Sequence, residues 1–187
     1  MVMNLIEGKH FNSTDDITPE ATEYLECHFE GLDLSNAKMK NSKFLESKFS
    51  KCNLSNIDFL NTSLRDVIFS DCKLIGINWS NCQKVSHIEV NNSLLNYSIF
   101  QNINLSNSIF RNSIIREADF SQSNLINSDF SSSNLRDSIF TGCDLSGCDF
   151  RDSSEYNIDP NFTKLKKAKF SMPEAILLLE YLGVIIE

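Results

Sequence analysis

With 187 residues the chain has the length of one domain, and no run of eighteen apolar residues occurs, which excludes a membrane-spanning helix. The opening from Met1 to Lys9 has neither the basic nor the long apolar segment of a secretion signal, so the expected location is cytoplasmic. The net charge of −8 is uneven: residues 1–26 hold six acids and one base, residues 27–151 thirteen and twelve, and residues 152–187 six and four.

Residues 1–22 show no internal repeat. Within them and just beyond, Asp15 to Glu23 suits a short helix capped by Thr18, with Pro19 at its first position. From Phe29 onward a large apolar residue returns at every fifth position: Phe29, Leu34, Met39, Phe44, Phe49, Leu54, Phe59, Leu64, Phe69, Leu74 and Trp79. The next would be Lys84, a charge aimed at a dry core, which is costly without a partner. The count then slips by one, and Val90 or Leu95 restores the fives. The stretch from Cys82 to Ile88 therefore holds one extra residue, as a bulge or a small loop. From Phe100 to Phe150 the fives run without a miss, Phe alternating with Leu or Ile, and a small residue stands two before each except at Ile103.

A period of five is neither the 3.6 of a helix nor the 2 of a flat strand. A short fixed repeat means a solenoid, whose units bury their apolar residues only by stacking on their neighbours. The alternation stacks Phe on Phe and Leu on Leu in a coil of either ten or twenty residues. Residues 1–22 then read as an N-terminal cap or arm. Ile158–Pro160, Thr163–Leu165 and Ala168–Phe170 keep the same count, so the repeat body is placed at 23–170. At ~4.8 Å per turn its seven twenty-residue turns would make a rod of roughly 35 Å. Residues 171–187 are a different element. Ser171 can cap a helix, Pro173 and Glu174 suit its first turn, and Gly183 suits the position past its end. The segment between is apolar nearly all round, more than one buried face requires.

Five cysteines stand at the small site two residues before a repeat centre, and Cys82 stands there in the old count. They read as buried fillers rather than disulfides or metal ligands, although Cys52 and Cys72 would stack on one face. The Asn-x-Ser/Thr triplets at Asn12, Asn53, Asn61 and Asn91 arise by chance in an Asn- and Ser-rich repeat. His10, His28 and His87 show no metal-ligand spacing, and six glycines leave little material for a phosphate loop. Neither an active site nor a cofactor is expected.

The pattern resembles the pentapeptide-repeat family. The resemblance implies an all-β fold, a right-handed quadrilateral β-helix with four five-residue sides per turn, followed here by a C-terminal α-helix. The run from Asn157 through Phe170 to Ile186 is similar to the end of the Qnr, MfpA and McbG-like subgroup. That similarity implies a cytoplasmic homodimer that mimics duplex DNA and binds DNA gyrase or topoisomerase IV, modulating it or protecting it from quinolones or toxins, with no direct nucleic-acid contact. The dimer interface would use Ile176, Leu178, Leu179, Tyr181, Leu182, Val184 and Ile185.

In that fold the residue before each centre points outward. Glu89, Asp129 and Asp149 then lie on one side, Asp119 on the opposite side and Asp144 on a neighbouring one, and these five form the candidate acidic binding face. Leu94, Ile99, Ile109, Ile114 and Ile139 hold the same outward place, which leaves open a protein-interaction scaffold with no topoisomerase link. A small-ligand module is disfavoured because a packed solenoid offers no obvious pocket.

Overall fold

The structure is a computed structural model and describes residues 3–181, 183 and 184. The backbone winds into a β-solenoid of about 8 turns, and strand pairing fixes its coil at twenty residues. Tyr24 opposes Phe44, and Phe44 opposes Leu64, on side I. Phe29, Phe49 and Phe69 are partners on side II. Bridges from Asn53 to Lys73 and from Ile99 to Asp119 mark sides III and IV. The ten-residue, two-sided coil is thereby ruled out.

Each side is built the same way. In Ser128-Asp129-Phe130 the first and third residues are buried and the middle one faces outward, the two-residue period of a strand. The second residue after the centre then bends into the left-handed region, as at Asn127 (φ 59°), Ser132 (φ 58°) and Asp137 (φ 58°). Glycine, Asn and Asp adopt that conformation at least cost, which is why they fill so many corners. A Cβ at Gly142 would meet Gln122 Nε2 of the preceding coil at 2.2 Å, so that side chain would have to move aside.

The core is a set of stacks. On side IV, Phe120 lies between Phe100 and Phe140, with centroids 4.7 and 5.1 Å away and planes within 2°. On side II, Phe110, Phe130 and Phe150 do the same, and the two columns meet edge to face at 5.6–6.0 Å. Both geometries suit the ring quadrupole. The small inward residues satisfy backbone that the coil leaves over. The Ser128 hydroxyl donates to the Leu105 carbonyl at 2.8 Å, and that of Ser133 to Phe110 at 2.6 Å. Cys143 and Cys148 thiols take the same place, donating to Phe120 and Leu125. All six cysteines are free, and burial pushes the Cys148 thiol up to about 12, so it is an inert filler.

Three regions depart from the regular count. At the N-terminus, strands Asn4–Glu7 and His10–Phe11 pair with Thr22–Leu25 and His28–Glu30, so these residues form two sides of a first coil. Phe11 is fully buried and stacks on Phe29. The helical turn is Thr14–Asp16, capped by Ser13, whose hydroxyl accepts from the Asp15 amide. It does not begin at Thr18, whose carbonyl instead accepts the Tyr24 hydroxyl at 2.5 Å.

The second departure is the slip. The Asn61 amide still donates to Asn81, yet Ser63 opposes Lys84, so the extra residue falls at Cys82–Gln83, beside a 3-10 turn at Trp79–Asn81. Lys84 consequently turns to solvent and Val85 is the inward residue, one repeat before Val90. Cys82 is displaced from the fully buried small site.

The last coil is the third. Lys169–Phe170 pairs with Asp149–Phe150, and Phe170 stacks on Phe150, so the coil extends to Phe170. Its inward residues are Tyr156 and Ile158 rather than Pro160. Beyond it the helix is shorter than the sequence predicts, a 3-10 turn at Glu174–Ile176 followed by Leu177–Glu180. Ser171 does not cap it, because its hydroxyl accepts from the Asp152 amide and donates to the Asp152 carboxylate. No helix among the described residues is long and apolar enough to cross a membrane.

Candidate partner-binding surfaces

The outward residues form columns whose members come from successive coils. On side II the lower column reads Glu89, Ile109, Asp129, Asp149 and Lys169. Asp119 stands on side IV between Ile99 and Ile139, and Asp144 on side I between Asn124 and Lys164. The five acids thus occupy three sides and form no single continuous face.

Their neighbours decide what charge they present. Arg111, two residues beyond Ile109 on the same strand, donates through Nε and Nη2 to Asp129 at 2.8 and 2.5 Å. Arg151 donates to Asp149 at 2.6 Å, with Lys169 3.6 Å from the same carboxylate. Lys164 lies 3.4 Å from Asp144. The Asp149 carboxyl is held below its usual range by Arg151, against the opposing effect of burial. At Asp129 burial is the larger single influence and would raise the pKa, but the hydrogen bonds from Arg111 and Ser131 together outweigh it. Over this column three acids, Glu89, Asp129 and Asp149, face three bases, Arg111, Arg151 and Lys169. Asp129 and Asp149 thus form a ladder of ion pairs with these three bases, and Glu89 stands outside it. Glu89 accepts from Asn91 at 2.8 Å and Asp119 from Gln101 at 2.5 Å, and neither has a cationic partner among the described residues.

Exposed apolar residues cluster along another edge, where Asp119 separates Ile99 from Ile139. Tyr97 occupies the left-handed corner between sides III and IV, with Ile114 on one flank and Ile99 and Ile139 on the other, and all four are exposed. At the C-terminal end, Leu178 packs against the core, whereas Leu177, Leu179, Tyr181 and Val184 are exposed. Ile176 is half-buried, and Leu182 and Ile185 lie outside the described residues.

A model of the pentapeptide repeat region matches residues 23–100, and a model of eight copies of the pentapeptide repeat matches residues 113–152, together more than half the chain. The chain is a pentapeptide-repeat protein. Among solved structures it is similar along its whole length to full-length QnrB1, a plasmid-mediated fluoroquinolone resistance protein. The two share 19% identity and a TM-score of 0.60 over 98% of this chain and 99% of that one. A second match is HetL of the cyanobacterium Nostoc sp. strain PCC 7120, a pentapeptide-repeat protein involved in heterocyst differentiation regulation. There the identity is 15% and the TM-score 0.26, over 80% of this chain and 85% of that one. No curated protein matches the sequence of this pentapeptide-repeat chain.

One grouping escaped the sequence analysis. His10 and His28 are direct partners in a parallel pair, and Glu30 follows two residues later on the same strand. The spacing that would have revealed it is that of Phe11 and Phe29, whose stacking sets the register.

Proposed function

We propose that this protein is a non-catalytic rod that binds a type II topoisomerase, DNA gyrase or topoisomerase IV, and modulates it or protects it from quinolones or toxins. The observation that carries the reading is the end-to-end likeness to QnrB1, which extends over both ends of the rod as well as its repeats. Eight coils at ~4.8 Å make a rod of roughly 38 Å, close to one turn of duplex DNA at ~34–36 Å. A rod of those dimensions with net charge −8 suits a basic DNA-binding groove.

The pairing of charges narrows the contact. Asp129, Asp144 and Asp149 meet a partner only by exchanging their own cations, which adds little affinity. Of the five candidate acids, Glu89 and Asp119 are left to engage arginines or lysines of the enzyme, together with other acids outside the ion pairs such as the corner acid Glu117. The exposed Leu179, Tyr181 and Val184 support a homodimer through the C-terminal end, which would double this charge around a twofold axis. Leu179→Asp is expected to give a monomer by light scattering, and a persistent dimer would remove that interface. Leu178 is the poorer probe because it also packs against the core.

The deciding experiment is gyrase supercoiling with the protein titrated in, with and without a fluoroquinolone, at two salt concentrations. Inhibition or drug rescue that fades with salt supports charge-based mimicry. No effect on gyrase or topoisomerase IV overturns the reading in favour of an interaction scaffold, for which the exposed edge of Tyr97, Ile99, Ile114 and Ile139 is the specific support. Binding through that edge would be nearly insensitive to salt.

A further inference from the structure

We propose that His10, His28 and Glu30 form a binding site for a divalent transition-metal ion of the zinc class, on side II of the first two coils. The three residues offer two imidazole nitrogens and a carboxylate oxygen that all lie within 4.8 Å of one another. The His10 and His28 rings are stacked at 4.6 Å and 12°, and His10 Nε2 already lies 3.2 Å from Glu30 Oε2.

The backbone places these groups with little freedom to separate. Side II is parallel here, so His10 stands directly opposite His28, and the alternation along the strand sends Glu30 to the same outward surface. Immediately beneath, Phe11 and Phe29 are fully buried and stacked at 4.8 Å, which locks the register that sets the histidines side by side. A tetrahedral zinc ion with bonds of ~2.0–2.2 Å needs its ligand atoms about 3.3–3.5 Å apart. Closing from the present separation takes side-chain rotation alone, and His10 and Glu30 are exposed enough to rotate.

The chemistry of the set selects the ion. Two imidazoles and one carboxylate suit zinc, nickel or copper, whereas magnesium and calcium require a cage of oxygens. Three protein ligands leave an open coordination position for water or for a side chain of a partner. Two neighbours act against the site and make it adjustable. Lys48 is next in the column after His28 and brings a like charge, and Ser50 Oγ is hydrogen-bonded to His28 Nε2 at 3.1 Å, a bond the metal would displace.

A metal held there would join the strand His10–Phe11 to the strand His28–Glu30. It would thus clasp the first coil, whose outer edge has no further strand paired to it among the described residues. By linkage, binding to the folded state raises its stability with ion concentration.

The test is isothermal titration of tag-free full-length protein with zinc chloride, followed by cobalt(II) absorption spectra. One strong site is expected, with a cobalt spectrum of nitrogen and oxygen ligands and no thiolate charge-transfer band. His10→Ala, His28→Ala and Glu30→Gln should each weaken binding by about tenfold or more, and Lys48→Ala should tighten it. All four side chains face outward, so circular dichroism should stay that of the parent protein. Zinc should also slow hydrogen exchange of the His28 amide, which donates to the Lys9 carbonyl at 2.9 Å, and should fail to do so in His10→Ala. Zinc binding that is unchanged in the histidine variants, a thiolate band with cobalt, or no binding at millimolar zinc would each overturn the proposal.

Discussion

The coils from Ser98 to Phe150 and the last coil, from Ser153 to Phe170, are made of the same kinds of residue under different rules. In the first, the phenylalanines repeat from coil to coil and the small inward sites hold Ser, Cys or Ala apart from Ile103, so a ring meets a ring and most small side chains meet another of their kind at one fixed offset. Phe110 lies under Phe130, and Ser113 donates its amide to the Ser133 hydroxyl. In the second, Tyr156 and Ile158 are buried where the count called for Pro160, and Phe162 is left exposed. A repeated position inherits its environment from its neighbours, whereas a terminal position has a neighbour on one side only. Regularity in such a rod belongs to the stack and fades where the stack stops.

The sharpest way to break this comparison is to cut one side chain in each region. Phe120→Ala should cost roughly 3–5 kcal/mol, because two stacked neighbours cannot collapse into the cavity. Phe162→Ala should leave the denaturation midpoint in place. Equal effects at the two sites would mean that the stack does not dominate stability. Next in size is Gly147→Ala. Its φ of 74° and the approach of a Cβ to Asn127 Oδ1 at 2.3 Å should cost about 1–2 kcal/mol or more in the same assay. Gly183→Ala, at a similar φ of 70° but in open space, should cost less.

The smallest expected effect concerns the ion-pair ladder. Arg151 holds the Asp149 carboxyl below its usual range against burial, so this group stabilises the fold above the unfolded carboxyl pKa near 3.9. That contribution is lost as pH falls through the lower folded value. Stability should therefore drop more steeply between about pH 5 and pH 2 in the parent protein than in Asp149→Asn. Parallel acid profiles would show the pair to be energetically silent.

Most of the coil was legible because its code is redundant. Eleven apolar residues at intervals of five, from Phe100 to Phe150, name the inward positions, and the Asn, Asp and Gly residues between them mark left-handed corners. The number of sides per coil was not legible from spacing, since ten and twenty residues stack the same residues. Backbone pairing such as Phe44 with Leu64 settles it. The repeat sets Asp129 and Asp149 on one side but does not show that Arg111 and Arg151 neutralise them, because those contacts join positions eighteen and two residues away in sequence. The N-terminal coil was hidden for a related reason. Its inward residues, Ile6 and Phe11, are too few to show a period, and only pairing with Tyr24 and Phe29 gives them one.

The alternation of phenylalanine sides with leucine sides also makes the rod a ruler with fixed gradations. Removing five residues would set Phe over Leu in the layer that spans the cut and turn everything beyond it by one side. Removing ten would keep ring on ring but carry everything beyond the cut to the opposite side. Only a change of twenty residues preserves both packing and the direction in which each outward residue points. The length of this protein can thus be edited without loss of its surface pattern only in whole coils, each moving one end relative to the other by ~4.8 Å.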